Sequence, residues 1–258
     1  MIQAIHVDKD GTFSLSEDRN KRVIEDLAAE HGIYADKSVK KRHELWKKNL
    51  WGMCEGRAEP MIHGILVEEF PESRINTISP EDFEFACKIF YNARHGEVTI
   101  RPGMLEELDQ PKGQGVKIAM VTSSDLHSTH MDLELAFGSA AEGERFFDAI
   151  VTSDDIANVA DRKPSPVPFR KSCHKLELSP EWGHVAMEDS PTGRDSALAC
   201  FGGGDNLVIR FIEADNGDTA DHGKLVHVHN MEEAESRIQD YKQELQKTAA
   251  SLPRREAK

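Results

Sequence analysis

The sequence predicts an α/β protein with a parallel sheet, because short apolar runs alternate with helical patterns. The first run, "IQAIHV", starts at residue 2 and ends in the acidic stretch "DKDGT". The later strand candidates are "VKIAMV", "FDAIV", "HVAM", a weaker "NLVIRF" and an edge candidate, "KLVHV". Helical patterns such as "PTGRDSALACF" lie between them. We therefore predict a Rossmann-like sheet core covered by helices.

A helical block separates the first predicted strand from the second. Within it, "SPEDFEFACKIFYNARHG" has Ser79 as a helix N-cap and Pro80 at the first helical position. A second pattern, "DKSVKKRHELWKKNLWG", is expected to end at its final glycine, Gly52. We predict an inserted α-helical domain at 17–97 and a core formed by residues 1–16 and 98–258.

Composition limits the class of protein. The 258 residues carry a formal net charge of −14, which argues against a nucleic-acid partner. The four cysteines form no CxxC pair, so a structural zinc site or a disulfide framework is not expected. Neither a signal peptide nor a stretch of membrane-spanning length is recognisable. We expect a cytoplasmic monomer or weak homodimer without a membrane partner.

Polar residues follow four of the predicted strands at the point where each strand ends. They are Asp8 and Asp10 after the first strand, Thr122, Ser123 and Ser124 after the second, Lys163 after the third, and Glu188 and Asp189 after the fourth. The carboxyl ends of parallel strands form one edge of a sheet, and ligands bind outside that edge. We therefore expect these side chains to converge.

The residue types in this set suit phosphoryl transfer. Clustered carboxylates repel one another unless a hard cation lies among them, and oxygen ligands favour Mg²⁺. A phosphate group needs hydrogen-bond donors and a cation, which Thr122, neighbouring backbone N–H groups and Lys163 offer. A carboxylate can also act as the nucleophile and form an aspartyl-phosphate.

Four motifs in order carry a resemblance to a known family. They are "DKDGT", the apolar run that ends in Thr122, "RKPSPVPF" and "EDSPTG". In these motifs the chain resembles the haloacid dehalogenase-like (HAD) hydrolases, in the branch of helical-cap phosphatases and β-phosphoglucomutase-like proteins. The resemblance spans residues 1–15 and 98–204, and the helical block resembles the family's cap in position and helicity.

The resemblance implies a role for each catalytic residue. Asp8 is the nucleophile, and Asp10 protonates the leaving oxygen and then deprotonates the attacking water. Thr122 and the backbone N–H of Ser123 hold phosphate oxygens. Lys163 neutralises charge on Asp8 and the phosphate. The implied activity is that of a phosphatase acting on a small phosphorylated metabolite.

The resemblance also implies a Mg²⁺ site. Its ligands are the Asp8 carboxylate, the Asp10 backbone carbonyl and Asp189, with Glu188 bound directly or through water. Two weaker assignments fall in the helical block. Arg57, in "EGRAEP", is a candidate specificity residue, and Asn20 stands where the mutase branch has a histidine that helps to position the acid–base Asp.

Alternatives remain open from sequence. A sugar phosphomutase of the β-phosphoglucomutase type shares the core motifs, and a non-catalytic module that binds a phosphate ligand would need no turnover. Departures from the family pattern include Leu15 in place of an acidic residue and Arg162 before the Lys-Pro pair. Lys9 makes the first motif read Asp-Lys-Asp. Trp46 and Trp51 are expected in the core of the helical block.

Overall fold

The protein forms two compact units in a computed structural model that describes residues 1–54, 57–202, 205–212 and 225–251. The first unit comprises residues 1–14 and 100–258, and the second comprises residues 15–99. The second unit is therefore an insertion in the chain of the first.

The first unit is built on a six-stranded sheet. Its strands are β1 (Ala4–Val7), β2 (Lys117–Val121), β3 (Ala149–Val151), β4 (Trp182–Glu188), β5 (Asp205–Phe211) and β6 (Leu225–Val228). All five strand pairings are parallel, in the order β3-β2-β1-β4-β5-β6. Every strand that the apolar runs predicted is present, and β6 lies at an edge as expected. The predicted α/β class with a Rossmann-like core is confirmed.

Eleven α-helices occur in the described residues. They are α1 (Glu17–Glu30), α2 (Val39–Asn49), α3 (Trp51–Cys54), α4 (Glu59–Glu69), α5 (Pro80–Ala93), α6 (Met104–Gly113), α7 (Leu126–Phe137), α8 (Ala140–Phe146), α9 (Val167–Lys175), α10 (Pro191–Phe201) and α11 (Met231–Ser251). None of these helices combines the length and apolar character that a membrane crossing requires.

Helices cover both faces of the sheet. On one face α6 and α11 pack against the strands, and Leu108 and Ile238 belong to the same apolar cluster as Val7. On the other face α9 and α10 contribute Phe169 and Phe201 to a second apolar cluster. The strands alternate their side chains between two buried faces, which explains why they read as near-continuous apolar runs.

The second unit contains α1 to α5 and no strand among its described residues. Trp46 and Trp51 are buried in its core, with ring centroids 4.9 Å apart, as the sequence predicted. Ser79 caps α5 by accepting a hydrogen bond from the backbone N–H of Asp82, also as predicted. One expectation was wrong: Gly52 lies inside the short α3 and does not end α2. Leu50, two residues earlier, is the C-cap of α2, where the backbone leaves the helical conformation (φ −124°).

The buried carboxyl group of Glu107 affects the stability of the first unit. Glu107 on α6 is 8% exposed, and its Oε1 has no hydrogen-bond partner within the part of the chain that the structure describes. Burial and the nearby negative charge of Glu235 raise the pKa of Glu107 to about 7, against the smaller opposing effect of Lys242. The folded state therefore favours the neutral carboxyl group at this position.

This pKa shift predicts a pH-dependent stability. Because the folded-state pKa lies above the ordinary value of 4.5, the stability linked to protonation is complete below pH 4.5 and is lost as the pH rises through 7. We expect Glu107→Gln to raise the free energy of unfolding at pH 8.5 by about 2 kcal/mol, and by much less at pH 4.5. Denaturant titrations at the two pH values, with the exposed neighbour variant Glu106→Gln as control, measure this difference. An equal change at both pH values would contradict the assignment.

Candidate active site

The strand order explains where the polar residues meet. The chain leaves β1 toward β2 and β3, then returns to the other side of β1 to form β4. At such a switch point the loops diverge and leave a crevice outside the carboxyl ends of the strands. Asp8 directly follows β1, and Glu188 is the last residue of the neighbouring strand β4. Thr122 directly follows β2, on the other side of β1.

A buried lysine links two of these strand ends. Lys163 Nζ lies 2.5 Å from Asp8 Oδ1 and 2.7 Å from Glu188 Oε1, and it donates to the Val121 carbonyl at 2.8 Å. The lysine side chain is 4% exposed. Burial alone would lower its pKa, but the charges of Asp8 and Glu188 outweigh burial and raise the pKa of Lys163. The lysine is therefore held as an ammonium ion between the two carboxylates.

The same burial acts in the opposite sense on the acids. Burial raises the pKa of Glu188 to about 8, with help from the charge of Asp8 and against the attraction of Lys163. Burial also raises the pKa of Asp8, again against Lys163, and the charge of Asp10 adds to the effect. One ammonium ion does not fully compensate these acids.

The carboxylates suit a hard divalent cation. One oxygen atom each from Asp8, Glu188 and Asp189 lies within 4.8 Å of the others. Glu188 is fully buried, and its Oε2 has no hydrogen-bond partner in the described residues. An all-oxygen donor set with an unsatisfied buried oxygen is what Mg²⁺ or Ca²⁺ requires.

Gly193 on α10 makes room for the Glu188 carboxylate. A Cβ atom built at residue 193 would lie 1.8 Å from Glu188 Oε2, so no other residue fits without moving the acid. Residue 193, the glycine of "EDSPTG", must therefore be glycine because the Glu188 carboxylate lies so close to its backbone.

The acidic loop after β1 is held by its own backbone. Gly11 has a φ of 77°, in the region that favours glycine, and its N–H donates to the Ser14 carbonyl at 2.8 Å. The Phe13 N–H donates to the Asp8 carbonyl at 3.1 Å. The Arg101 guanidinium donates to the carbonyls of Thr12, at 2.7 Å, and Gly11. These bonds fix the loop that carries both aspartates.

The Asp10 side chain has two supports, the half-buried Ser124 and the buried Lys9. Its Oδ2 accepts a hydrogen bond from Ser124 Oγ at 2.5 Å, and its Oδ1 lies 2.9 Å from Lys9 Nζ. Lys9 is fully buried and also pairs with Asp132 on α7, at 3.1 Å. Sequence reasoning missed the Lys9–Asp132 pair. The available signal was a lysine placed between two acids at the end of an apolar strand.

The hydroxyl cluster after β2 offers donors beside the acids. Thr122 is 3% exposed, and its Oγ1 accepts a hydrogen bond from the Ser124 N–H at 3.0 Å, which leaves the hydroxyl proton available to another acceptor. Ser123 is exposed at the same turn. The structure therefore brings the predicted core residues of all four motifs to one edge of the sheet.

The two weaker candidates belong to the second unit and have local contacts there. Asn20 on α1 accepts a hydrogen bond from Arg19 Nε at 2.8 Å. Arg57 is exposed, and its Nε donates to the Met53 carbonyl at 2.6 Å. Part of the "EGRAEP" segment, residues 55 and 56, lies outside the described residues. The roles of Asn20 and Arg57 stay predictions.

A second group of potential metal ligands is explained without a metal. His6, Cys173 and His184 are buried, with ligand atoms within 4.8 Å of one another. However, His6 Nδ1 lies 2.9 Å from Ser172 Oγ, His6 Nε2 lies 2.9 Å from His184 Nδ1, and His184 Nε2 lies 2.8 Å from the Ser179 carbonyl. Neutral tautomers satisfy this whole chain of hydrogen bonds, and burial lowers the pKa of both histidines.

The fold and this site define an α/β enzyme core with an acidic, oxygen-rich centre at the switch point of its sheet. The family model described as haloacid dehalogenase-like hydrolase matches residues 10–200. Because this match covers most of the sequence, the chain belongs to the haloacid dehalogenase-like hydrolase family, as its motifs predicted.

Individual relatives agree with this membership. Protein CbbY of Cereibacter sphaeroides is 26% identical over 234 residues, which cover 83% of this chain and 94% of that protein. Pyrophosphatase PpaX of Bacillus cereus (strain B4264) is 30% identical over 123 residues, 47% of this chain and 52% of that protein. A crystal structure of a CbbY mutant from Rhodobacter sphaeroides, in complex with xylulose-(1,5)bisphosphate, has a TM-score of 0.65 and 21% identity. That match covers 89% of this chain and 95% of the other, and it shows a shared fold.

The close approach at Gly193 gives a direct test of the carboxylate cluster. We expect Gly193→Ala to displace the Glu188 carboxylate, to cost about 1–3 kcal/mol of stability, and to weaken Mg²⁺ binding by at least about tenfold. Isothermal titration with MgCl₂ and denaturant unfolding measure the two effects. Gly64→Ala on α4, where a Cβ meets nothing within 4 Å, is the matched control. Unchanged Mg²⁺ affinity in Gly193→Ala would remove Glu188 from the ligand set.

Proposed function

We propose that the chain is a Mg²⁺-dependent phosphatase that hydrolyses a small phosphomonoester through an aspartyl-phosphate on Asp8. The observation that carries the proposal is the buried Asp8–Lys163–Glu188 arrangement, which puts a carboxylate nucleophile, a cation and oxygen ligands in one crevice. The names of the relatives support a phosphorylated metabolite as substrate, since one is a pyrophosphatase and another was crystallised with a sugar bisphosphate.

In the first half-reaction, Asp8 attacks the phosphorus atom and the bond from phosphorus to the leaving oxygen breaks. Lys163 binds Asp8 Oδ1 and so orients the carboxylate, which leaves the other oxygen for attack. The hydroxyl of Thr122 donates to a phosphate oxygen, and the ammonium of Lys163 stabilises the negative charge of the transferred group.

Asp10 carries the proton in both halves of the reaction. It gives a proton to the leaving oxygen as the aspartyl-phosphate forms, and it then takes a proton from the water that hydrolyses this intermediate. Ser124 and Lys9 hold the carboxylate of Asp10, which lies two residues after the nucleophile Asp8. The sum of the two halves consumes one water and releases an alcohol and inorganic phosphate.

The metal ligands in this proposal are the carboxylates of Asp8, Glu188 and Asp189, together with the backbone carbonyl of Asp10. Bound Mg²⁺ supplies positive charge next to the phosphate and the nucleophile. The three carboxylates offer the oxygen ligands for this role.

We further propose that residues 15–99 form the cap domain of the enzyme and select its substrate. The support is the position of this unit in the chain, directly after the first motif, and its helical content. Arg57 and Asn20 remain our candidates within it. The test of substrate class is a phosphate-release screen over sugar phosphates, phosphoglycolate, nucleoside monophosphates and cofactor phosphates.

Replacing the nucleophile tests the core of the proposal. We expect Asp8→Asn to abolish phosphate release and to keep the fold, because the amide preserves side-chain shape and Lys163 retains Glu188 as an ion-pair partner. Phosphate release and rapid acid quench for protein-bound phosphate measure the effect, with the exposed variant Asp109→Asn as control. Full activity in Asp8→Asn, with Mg²⁺ present, would exclude Asp8 as nucleophile.

A second experiment separates hydrolase from mutase. By the family resemblance, Asn20 stands where the mutase branch has a histidine that helps to position the acid–base Asp, and an amide can form hydrogen bonds but cannot supply the imidazole. We therefore expect hexose 1-phosphates to yield inorganic phosphate and little 6-phosphate, with or without a hexose bisphosphate activator. Both products are followed in one assay. Isomerisation faster than phosphate release would favour the mutase.

A further inference from the structure

We propose that Lys9 and Asp132 are positioning residues: as a buried ion pair they fix the Asp10 carboxylate for its two proton transfers. The inference rests on the proposed function, because it assigns a purpose to this pair only if Asp10 is the acid–base residue. The family resemblance assigns no role to either residue: Lys9 lies within the first motif but is not one of its functional residues, and Asp132 lies outside all four motifs.

The geometry around Lys9 is that of a fixed support. Its side chain is fully buried, and Nζ lies 2.9 Å from Asp10 Oδ1, 3.1 Å from Asp132 Oδ2 and 3.4 Å from Ser128 Oγ. All three contacts use the ammonium group, which has three protons to donate. Because Lys9 is 0% exposed, it acts on a substrate only through Asp10.

Asp132 anchors this lysine to the rest of the core. It lies on α7 and is 1% exposed, and its Oδ2 also accepts a hydrogen bond from Ser14 Oγ at 2.6 Å. Ser14 closes the loop that begins at Asp8, through its backbone bonds to Gly11 and Lys9. The pair therefore ties both the loop and the Asp10 side chain to one helix.

Ser124 completes the restraint from the other side. Its hydroxyl donates to Asp10 Oδ2, while Lys9 holds Oδ1, so each carboxylate oxygen has its own donor. A carboxylate held at both oxygens cannot rotate freely about its last side-chain bond. Such preorganisation matters because a displacement of about 1 Å in a reacting group costs about 100-fold in rate.

Stability alone does not account for a lysine at this position. A buried ion pair can often be replaced by apolar residues of similar volume with no loss of stability, because desolvation offsets its attraction. Lys9 itself stands between the two aspartates of the first motif, and its side chain contacts Asp10 as well as Asp132. Positioning of Asp10 gives the ion pair a purpose that stability alone does not.

The test removes both charges at once. The double variant Lys9→Met/Asp132→Asn keeps side-chain size and leaves no buried charge of this pair unpartnered. We expect it to fold, as judged by circular dichroism and thermal unfolding. With alkyl phosphates, whose leaving oxygen needs a proton, kcat should fall about 100-fold with little change in KM.

With p-nitrophenyl phosphate, the expected result differs in kind. The nitrophenolate leaves without a proton, so the first turnover should stay fast, while hydrolysis of the aspartyl-phosphate still depends on Asp10 and becomes slow. Stopped-flow absorbance should therefore show a burst of about one nitrophenolate per enzyme, followed by slow turnover. Lys112→Met/Asp148→Asn, which removes the ion pairs of Asp148 with Lys112 and Lys117 elsewhere in the same unit, should behave as wild type.

Each other outcome counts against the inference. Unchanged kinetics in the double variant, an equal loss of first-turnover rate on both substrate types, or a double variant that cannot fold would each overturn it. These failures differ from failure of the proposed function, which would show as no phosphate release by the wild-type enzyme or as full activity in Asp8→Asn.

Discussion

The rest of the site depends on one buried ammonium ion, that of Lys163, held between the carboxylates of Asp8 and Glu188. Two acids at the ends of adjacent strands would repel each other in a space that excludes water, and burial already raises the pKa of each. The positive charge of Lys163 offsets the repulsion between the two carboxylates. The order of the sheet supplies the neighbouring strand ends, and Gly193 supplies the space for the second acid.

Lys9 provides a second example of such compensation. Its buried ammonium ion compensates Asp10 and Asp132, so each of the two lysines serves one pair of acids. The two pairs differ in function under our proposal. Lys163 contacts the proposed nucleophile, Asp8, whereas Lys9 contacts the proposed acid–base residue, Asp10. Under the proposed function, Lys163 supplies local positive charge for the phosphate, although the chain as a whole has a net charge of −14.

The sequence predicted the sheet and the residues at its edge, because both follow from short-range patterns. Apolar runs of strand length end in polar motifs, and parallel strands bring those ends together. The Lys9–Asp132 pair could not be found in this way, since its members lie 123 residues apart and Asp132 sits in an ordinary helical pattern. The break at Leu50 was also missed. The sequence marks residue 52 with a glycine, whereas α2 ends at Asn49 and Leu50 is its C-cap.

The balance of charges also links metal and substrate binding. The acids Asp8, Asp10, Asp132, Glu188 and Asp189 outnumber the cations that contact or face them, which are Lys9, Lys163, Arg101 and Arg210. A phosphate dianion would add to this negative charge, and a divalent cation would offset it. Under the proposed function, each ligand should therefore bind more tightly in the presence of the other, and this coupling is reciprocal. Phosphate should then bind weakly when the metal is absent. The site would be occupied mainly by complexes that hold both metal and phosphate, which are the ones that can react.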